Sequence, residues 1–353
     1  MLLPINDETI KQAAVLISRG GLAAFPTETV YGLGGDAFNP LALAKIFEVK
    51  NRPRFDPLIV HIASMDTLEK IADLSLPDTQ TLKNLAALTE KFWPGPLTLI
   101  LPKQKTIPDL ATSGLPTVAV RLPAHSAARR LIELSTGAIA APSANPFGYL
   151  SPTSAEHVAD MLGEKVDIIL DGGPTRFGLE STVLDMSREQ ARILRPGATP
   201  RELIEEIIGP VAVGPAAAVE NPLPAEGAPS LDAAPCADAA PSPGLLKSHY
   251  APRIPLFAHD YESMQCEPMS QDTAFLFFDG QSRDRWLSAQ KAASPQTVAV
   301  LSETGNMPEA ASRLFDTLHE LDRFNVKLIH AQFAPEVGLG TAINDRLRRA
   351  SIK

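Results

Sequence analysis

The stretch Lys50-Asn51-Arg52-Pro53-Arg54-Phe55-Asp56-Pro57-Leu58-Ile59-Val60-His61 is the most informative segment for the fold of this chain. It begins with closely spaced cations, is stiffened by two prolines, and then enters a β-rich apolar run. A second run, Ser143-Ala144-Asn145, places a hydroxyl and an amide directly after small apolar residues. We expect each run where a strand gives way to a loop. Cations beside neutral hydrogen-bond donors suit a polyphosphate, so these two runs together predict a nucleotide site in an α/β fold. A solvated helix end would also explain the cations.

Composition limits the class of protein. The chain has 353 residues, 44% of them hydrophobic and 21% charged, which is typical of a soluble globular protein of about two domains. It contains no apolar run of roughly 18 residues and no basic head before an apolar stretch, so we expect neither a membrane span nor a signal peptide. Two cysteines, Cys236 and Cys266, fit a reducing cytoplasm. The net charge of −9 argues against non-specific coating of nucleic acid but leaves a local basic cleft possible.

A segment rich in proline and alanine, 210–243, divides the chain. We therefore predict a catalytic domain at 1–208, a linker or active-site lid at 209–252 and a smaller α/β domain at 253–353. Residue patterns in the first domain predict helices at 10–18, 40–50, 68–72, 79–92, 126–135, 154–162 and 201–208. They predict strands at 22–25, 58–62, 97–101, 118–122, 138–141, 168–171, 181–185 and 192–195, which together indicate an open α/β sheet.

The second domain alternates more regularly. We predict strands at 254–257, 274–278, 297–301 and 326–332, with helices at 308–321 and 341–350. This alternation favours a small, parallel, Rossmann-like sheet. Because no GxGxxG loop is present, dinucleotide binding is not implied.

Several other polar segments have two possible interpretations, a functional one and a purely structural one. Residues 26–34 follow a buried strand, and glycines at 32, 34 and 35 either form an ordinary loop or let the backbone approach a ligand. His61 at a strand end is either a structural residue or a ligand-binding residue. Arg121 lies in an apolar strand, and a buried guanidinium needs an anion, which is either an internal acid or a substrate carboxylate. The chain has no His-x-Glu zinc pattern, no Gly-x-Ser-x-Gly elbow and no Walker loop, so covalent or metal hydrolysis is poorly supported.

These motifs resemble the Sua5/YrdC family of threonylcarbamoyl-AMP synthases, in the two-domain Sua5 form. The similarity extends over essentially the whole chain, and its most specific elements are residues 26–34, Lys50-x-Arg52 with Ser143-x-Asn145, 179–182, 195–197, 242–244 and 249–252. The resemblance implies a YrdC-like twisted open sheet, and a nucleotidyltransferase that joins L-threonine, bicarbonate and ATP into threonylcarbamoyl-AMP and pyrophosphate. It also implies a separate transferase complex that uses this product to modify adenosine 37 of tRNA.

The resemblance further implies roles for particular residues. The threonine site would consist of Thr29, His61, Arg121, Ala141 through its backbone, and Ser181. The ATP site would consist of Lys50, Arg52, Asp56, Thr117, Ser143, Asn145, Ser151, Arg195 and Tyr250, with Lys50, Arg52, Ser143 and Asn145 as the catalytic tetrad. Asp56 would need Mg²⁺ or a neutralising cation, and we expect Mg²⁺ to be held by ATP and water rather than by protein ligands.

Two rival functions stay open at this point. The first is a module that binds double-stranded RNA or tRNA without catalysis. The second is a carbamoyl-transfer enzyme that uses carbamoyl phosphate. The role of the second domain and the oligomeric state are not indicated by the sequence.

Overall fold

The computed structural model describes residues 1–214, 249–267, 270–289 and 297–351. Most of the linker, including the predicted family motif at 242–244, lies outside these residues. The described strands form two separate sheets, one of eleven strands and one of four.

The first domain alternates helices and strands along residues 1–214. Its helices are α1 (Asp7–Ser18), α2 (Pro40–Lys50), α3 (Leu68–Ile71), α4 (Thr79–Phe92), α5 (Asp109–Thr112), α6 (Ser126–Leu134), α7 (Ala155–Leu162) and α8 (Arg201–Ile208). Its strands are β1 (Leu2–Pro4), β2 (Ala23–Phe25), β3 (Gly32–Asp36), β4 (Ile59–Ile62), β5 (Leu97–Pro102), β6 (Thr117–Arg121), β7 (Ala138–Ala140), β8 (Ile168–Asp171), β9 (Thr182–Asp185), β10 (Arg192–Arg195) and β11 (Ala212–Val213). They pair in the order β1-β8-β2-β3-β7-β4-β6-β5-β9-β10-β11, with parallel and antiparallel neighbours mixed.

The second domain is a smaller parallel unit. It contains β12 (Leu256–His259), α9 (Tyr261–Met264), β13 (Thr273–Asp279), α10 (Gly280–Ala289), β14 (Thr297–Ser302), α11 (Met307–Leu321), β15 (Leu328–Gln332) and α12 (Leu339–Ala350). The strand order is β12-β15-β13-β14 and every pair is parallel, which confirms the predicted sheet.

The two domains share apolar packing. One buried cluster joins Val30, Leu150 and Leu179 of the first domain to Leu314 and Phe315 of α11. Gly178 permits this approach, since a Cβ there would lie 2.3 Å from the Ser312 carbonyl oxygen. The second domain therefore packs directly against the loops that follow the strands of the first.

The sequence predicted the long elements well. Helices 40–50, 79–92 and 201–208 and strands 168–171 and 192–195 have their predicted bounds. Two expectations about the motifs were wrong. Lys50 is the last residue of helix α2 and does not follow a strand, and Gly32–Asp36 is a strand instead of a loop. In that strand a Cβ on Gly34 would lie 2.5 Å from the ring of Phe25, so this glycine allows close packing of side chains.

Other differences are smaller. Strands β1, β3 and β11 and helices α5, α9 and α10 were not predicted, because each is short or lacks a clear apolar period. The predicted strand 254–257 lies two residues further along, as β12. Strand β11 pairs with β10, so the sheet of the first domain extends beyond residue 208.

Candidate active site

A buried cavity forms where several strand ends meet under the second domain. Strands β4 and β6 run parallel with His61 opposite Arg121, and Ser143, in the segment after β7, pairs with Gly32 of β3. Most of the predicted site residues line this cavity: Thr29, Arg52, His61, Arg121, Ala141, Ser143, Ser181, Arg195 and Tyr250. Folding therefore brings together residues that lie far apart in the sequence, as the motifs predicted.

Arg121 has an internal anionic partner. Its Nη2 lies 2.6 Å from Oε1 of Glu28, its Nη1 donates to Thr29 Oγ1 at 2.9 Å, and its Nε donates to the Gly95 carbonyl at 3.1 Å. The other oxygen of Glu28 accepts from the amide of Ala124 at 3.0 Å. The sequence offered an internal acid or a substrate carboxylate as the anionic partner of Arg121. The structure contains the internal acid, Glu28, which orients the guanidinium at the edge of the cavity.

His61 is neutral in this setting. Burial and the neighbouring charge of Arg121 lower the pKa of its imidazole to about 3. The ring therefore offers a hydrogen-bond donor and an acceptor without adding charge beside Arg121.

Arg52 and Asp56 form a buried ion pair. Nη2 of Arg52 lies 2.9 Å from Oδ2 of Asp56, and the same guanidinium donates to the carbonyls of Asp56 and Pro57 at 3.0 and 2.8 Å. Asp56 is fully buried, so this arginine is the neutralising cation that it needs. Arg52 lines the cavity, whereas Asp56 does not.

Lys50 contacts the loop that contains the other half of the predicted tetrad. Its ammonium donates to the Ser143 carbonyl at 2.6 Å and to the Asn145 carbonyl, and it is only 1% exposed. The amide of Asn145 in turn donates to the carbonyl of Tyr149 at 2.8 Å. Burial and Arg52 lower the pKa of Lys50, while the carbonyl dipoles favour its charged form. Of the four tetrad residues, Arg52 and Ser143 line the cavity; Lys50 and Asn145 hold the loop in place.

Ser181 and Arg195 also line the cavity. The Ser181 hydroxyl lies 2.7 Å from Oγ1 of Thr98, and the backbone carbonyl of Ser181 accepts from Nη2 of Arg195 at 2.9 Å. Arg195 thus presents a buried positive charge at a fixed position in the wall.

Glu180 links the two domains. One of its oxygens accepts from the Ser151 hydroxyl, and the other lies 3.0 Å from Nε of Arg346 on α12. Burial raises the pKa of Glu180, but Arg346 and Arg195 outweigh this and lower it, so the carboxylate is charged. Ser151 is fully buried on Glu180 and does not line the cavity.

The end of the linker closes the cavity. His249 and Tyr250 both line it, with their rings 4.1 Å apart, and Tyr250 is 1% exposed. About 50 Å³ of free volume is left, which is room for a few water molecules and far below the volume of typical ligand pockets. A ligand the size of a nucleotide therefore requires this segment to move.

Thr117 is placed differently from the other predicted residues. It begins β6, at the opposite end of the strand from Arg121 and roughly 13 Å away along it, and it does not line the cavity.

The carboxylates around the cavity are already engaged. Glu28 is bound to Arg121, Asp56 to Arg52, and Glu180 to Arg346 and Ser151. Among the described residues, one cluster has the donor types of a metal site, formed by His259, Glu267 and His330. It lies in the second domain and contributes no residue to the cavity.

Sequence reasoning assigned no role to several residues of the site. Thr27, Glu28, Glu180 and His249 fall inside or beside motifs that were recognised, so their positions gave a signal that was not used. Arg346 is different, because nothing in its local sequence distinguishes it from the other arginines of α12.

Buried arginines, hydroxyls and a neutral histidine around a cavity at strand ends define an α/β enzyme that acts on an anionic substrate. A family model for Sua5, YciO and YrdC, described as "Telomere recombination", matches residues 15–197, and one for the "Threonylcarbamoyl-AMP synthase, C-terminal domain" matches residues 200–351. The chain belongs to the Sua5/YrdC family, in its two-domain Sua5 form.

Relatives and a solved structure agree with this family. A threonylcarbamoyl-AMP synthase of Pyrococcus abyssi is 40% identical over 98% of this chain and 95% of its own, and one of Bacillus subtilis is 39% identical over 99% and 94%. The crystal structure of P. abyssi Sua5 complexed with L-threonine superposes with a TM-score of 0.80 at 38% identity, covering 99% of this chain and 97% of the other. None of the described helices has the length and apolarity needed to cross a membrane.

Proposed function

We propose that this chain is a threonylcarbamoyl-AMP synthase that consumes L-threonine, bicarbonate and ATP and releases pyrophosphate. The observation that supports this most directly is the division of the cavity wall. Arg121, with Thr29 and His61, forms one end, while Arg52 and Arg195 supply positive charge elsewhere in the same wall.

The amino-acid end suits threonine. Three N–H groups of Arg121 are used by Glu28, Thr29 and Gly95, which leaves two of its five donors for a substrate carboxylate. The neutral imidazole of His61 adds a donor or acceptor at neutral pH. A small, polar amino acid fits this set better than a large apolar one.

The chemistry needs no protein nucleophile. The amine of threonine adds CO₂, derived from bicarbonate, to form a carbamate and release a proton. A carbamate oxygen then attacks the α-phosphorus of ATP, the bond to the β-phosphate oxygen breaks, and pyrophosphate leaves. Arg52 and Arg195 stabilise the charge that develops on the phosphate oxygens, and positioning accounts for the rest of the rate enhancement.

Mg²⁺ is expected to enter with ATP and to neutralise phosphate charge. The donor set agrees with this, since the carboxylates nearest the cavity are paired with arginines. Phosphate oxygens and water would then be the main ligands. Transfer of the product to tRNA by a separate enzyme complex, and action in the cytoplasm, stay predictions.

Omission of single substrates tests the proposal. Threonylcarbamoyl-AMP and pyrophosphate should form with ATP, Mg²⁺, L-threonine and bicarbonate together, and should disappear when any one is left out. Tight RNA binding with a steep salt dependence and no ATP consumption would instead support the RNA-binding module. Turnover that requires carbamoyl phosphate in place of threonine and bicarbonate would support the carbamoyl-transfer alternative.

A further inference from the structure

Arg346 belongs to the second domain but makes its main contacts in the first. It lies on α12 with 1% exposure. Its Nε is 3.0 Å from Glu180 Oε2 and its Nη1 donates to the Pro196 carbonyl at 2.6 Å. Nη1 also contacts Asp345, its neighbour, at 2.9 Å. One side chain therefore joins α12 to the wall of the cavity.

A guanidinium in this position is costly unless its partners are well placed. Burial acts to lower the pKa of Arg346, but Tyr250, Glu180 and Asp345 raise it above its usual range, so the charge persists. Buried pairs of this kind add little net stability, yet loss of one partner costs roughly 3–5 kcal/mol. We therefore attribute the importance of Arg346 to the positions in which it holds its neighbours and not to the stability that it adds.

That geometry concerns Tyr250. The guanidinium carbon of Arg346 lies 5.1 Å from the centre of the Tyr250 ring, and Phe315 of α11 packs against the ring at 5.6 Å. The backbone of Tyr250 has φ +62°, which costs a residue with a side chain about 1–2 kcal/mol. Such a conformation persists only when its surroundings hold it.

Both domains hold the backbone around Tyr250. The amide of Ala251 donates to the Gly148 carbonyl of the first domain at 2.9 Å. On the other side, the amide of His249 donates to the Arg349 carbonyl of α12 at 3.3 Å. The aromatic ring is thus fixed by the second domain and directed into the cavity of the first.

From these contacts we infer that Arg346 is a positioning residue for adenylate formation, and that the second domain completes the active site through it. The inference rests on the proposed function. When the segment that contains Tyr250 closes again over bound ligand, Arg346 positions Tyr250 and Glu180 and so limits the access of water to the mixed anhydride. If water enters, it cleaves the anhydride into AMP and the carbamate of threonine, which then loses CO₂ to return threonine.

The test compares Arg346→Lys with Arg348→Ala on the same helix. Arg348 makes an exposed ion pair with Glu336 and lies 5.0 Å from the centre of the Phe333 ring, and neither it nor these partners line the cavity. Lysine keeps the charge but lacks the planar fork that places Nε on Glu180 and Nη1 on the Pro196 carbonyl. For Arg346→Lys we expect the KM for ATP to rise about tenfold, because Tyr250 is no longer held in position, with little change in the KM for threonine. The yield of threonylcarbamoyl-AMP per pyrophosphate should fall, while Arg348→Ala should behave as wild type.

Two further measurements make the result decisive. Amide hydrogen exchange at His249 and Ala251 should quicken in Arg346→Lys, and this readout needs no catalytic activity. Adding Tyr250→Ala should remove most of the effect of Arg346→Lys, because the arginine acts through that ring. If Arg346→Lys does not fold, the same measurements are made on the double variant Arg346→Gln with Glu180→Gln, in which both buried charges are removed.

The outcomes separate this inference from the proposed function. A wild-type protein that makes no adenylate would sink the proposed function, while the exchange measurement still tests the hold on Tyr250. Unchanged exchange and unchanged product yield in Arg346→Lys would overturn the inference. Fully additive effects with Tyr250→Ala would do the same.

Discussion

Arg121 and Glu28 form a buried ion pair, with Nη2 of the arginine 2.6 Å from Oε1 of the glutamate. A guanidinium that already has an internal carboxylate partner is still able to bind a second one, because its planar fork has five donors. The glutamate fixes the direction of the fork, and Arg121 lines the cavity. Internal pairing and substrate binding are therefore compatible at this residue.

Replacement of Arg121 should affect threonine more than ATP. In Arg121→Lys the charge on Glu28 stays paired but the fork is lost, so we expect the KM for threonine to rise roughly 10- to 100-fold while the KM for ATP changes little. Steady-state kinetics with each substrate varied in turn measure this. Arg130→Ala, which breaks an exposed pair with Glu133, is the matched control. Equal effects on both substrates would remove the assignment of Arg121 to the carboxylate.

The Arg52–Asp56 pair predicts a separation of stability from activity. Arg52→Ala leaves Asp56 charged and fully buried, which should lower the free energy of unfolding by roughly 3–5 kcal/mol and abolish pyrophosphate release. Adding Asp56→Asn should restore much of the stability but no activity. Urea unfolding and pyrophosphate assays of both variants check this. Recovery of turnover in the double variant would show that Arg52 is not needed for the reaction.

Lys50 should act through the loop that it holds. Lys50→Met leaves the carbonyls of Ser143 and Asn145 without their donor, so we expect a loss of roughly 2–4 kcal/mol of stability together with abolished pyrophosphate release. Lys45 is on the same helix and also donates to a carbonyl, that of Gly20, at 2.7 Å. Lys45→Met should therefore retain activity. Normal turnover in Lys50→Met would exclude the tetrad from the mechanism.

The domain interface should weaken in acid. His319 of α11 stacks on His157 at 3.9 Å and its Nε2 lies 3.2 Å from the Ser151 carbonyl. Burial and His157 lower the pKa of His319 from 6.5 to about 4. Between pH 4 and 6.5 the unfolded chain therefore binds more protons than the folded one. The free energy of unfolding should fall as the pH drops from 6.5 towards 4, by about 3 kcal/mol in total.

Thermal or urea unfolding between pH 7.5 and about 4.5 measures this effect. In His319→Gln the amide can still donate to the Ser151 carbonyl but no longer titrates, so the pH dependence should be shallower than in wild type. A variant with an unchanged slope would show that other groups cause the loss of stability.

The motifs could predict much of the site because their chemistry is local. Arg52, Ser143 and Ser181 were recognisable from short runs of polar residues at the ends of apolar segments, and the fold brings them to one cavity. The roles of Lys50 and Asn145 were not recognisable in this way. Their side chains satisfy backbone carbonyls of a loop, and such contacts depend on tertiary distances.

The contacts of the linker could not be predicted from the sequence either. Its composition predicted a tether and its final residues a lid, but the hold on Tyr250 involves α11 and α12, which lie much further along the chain. Arg346 could not be distinguished from its neighbours Arg348 and Arg349 by sequence, because helix periodicity does not say which first-domain residue faces it.

The sequence by itself determined the α/β class, the division into two domains and most of the polar groups that line the cavity. Apolar periodicity and the residue types near strand ends are properties of short segments, so they can be read directly. Only the tertiary structure decided that Glu28 pairs with Arg121, that Lys50 bonds the loop at 143–145 and that Arg346 of the second domain contacts Glu180 and Tyr250. Buried charges need partners at a few ångströms, and the partner of each is chosen by packing between distant segments.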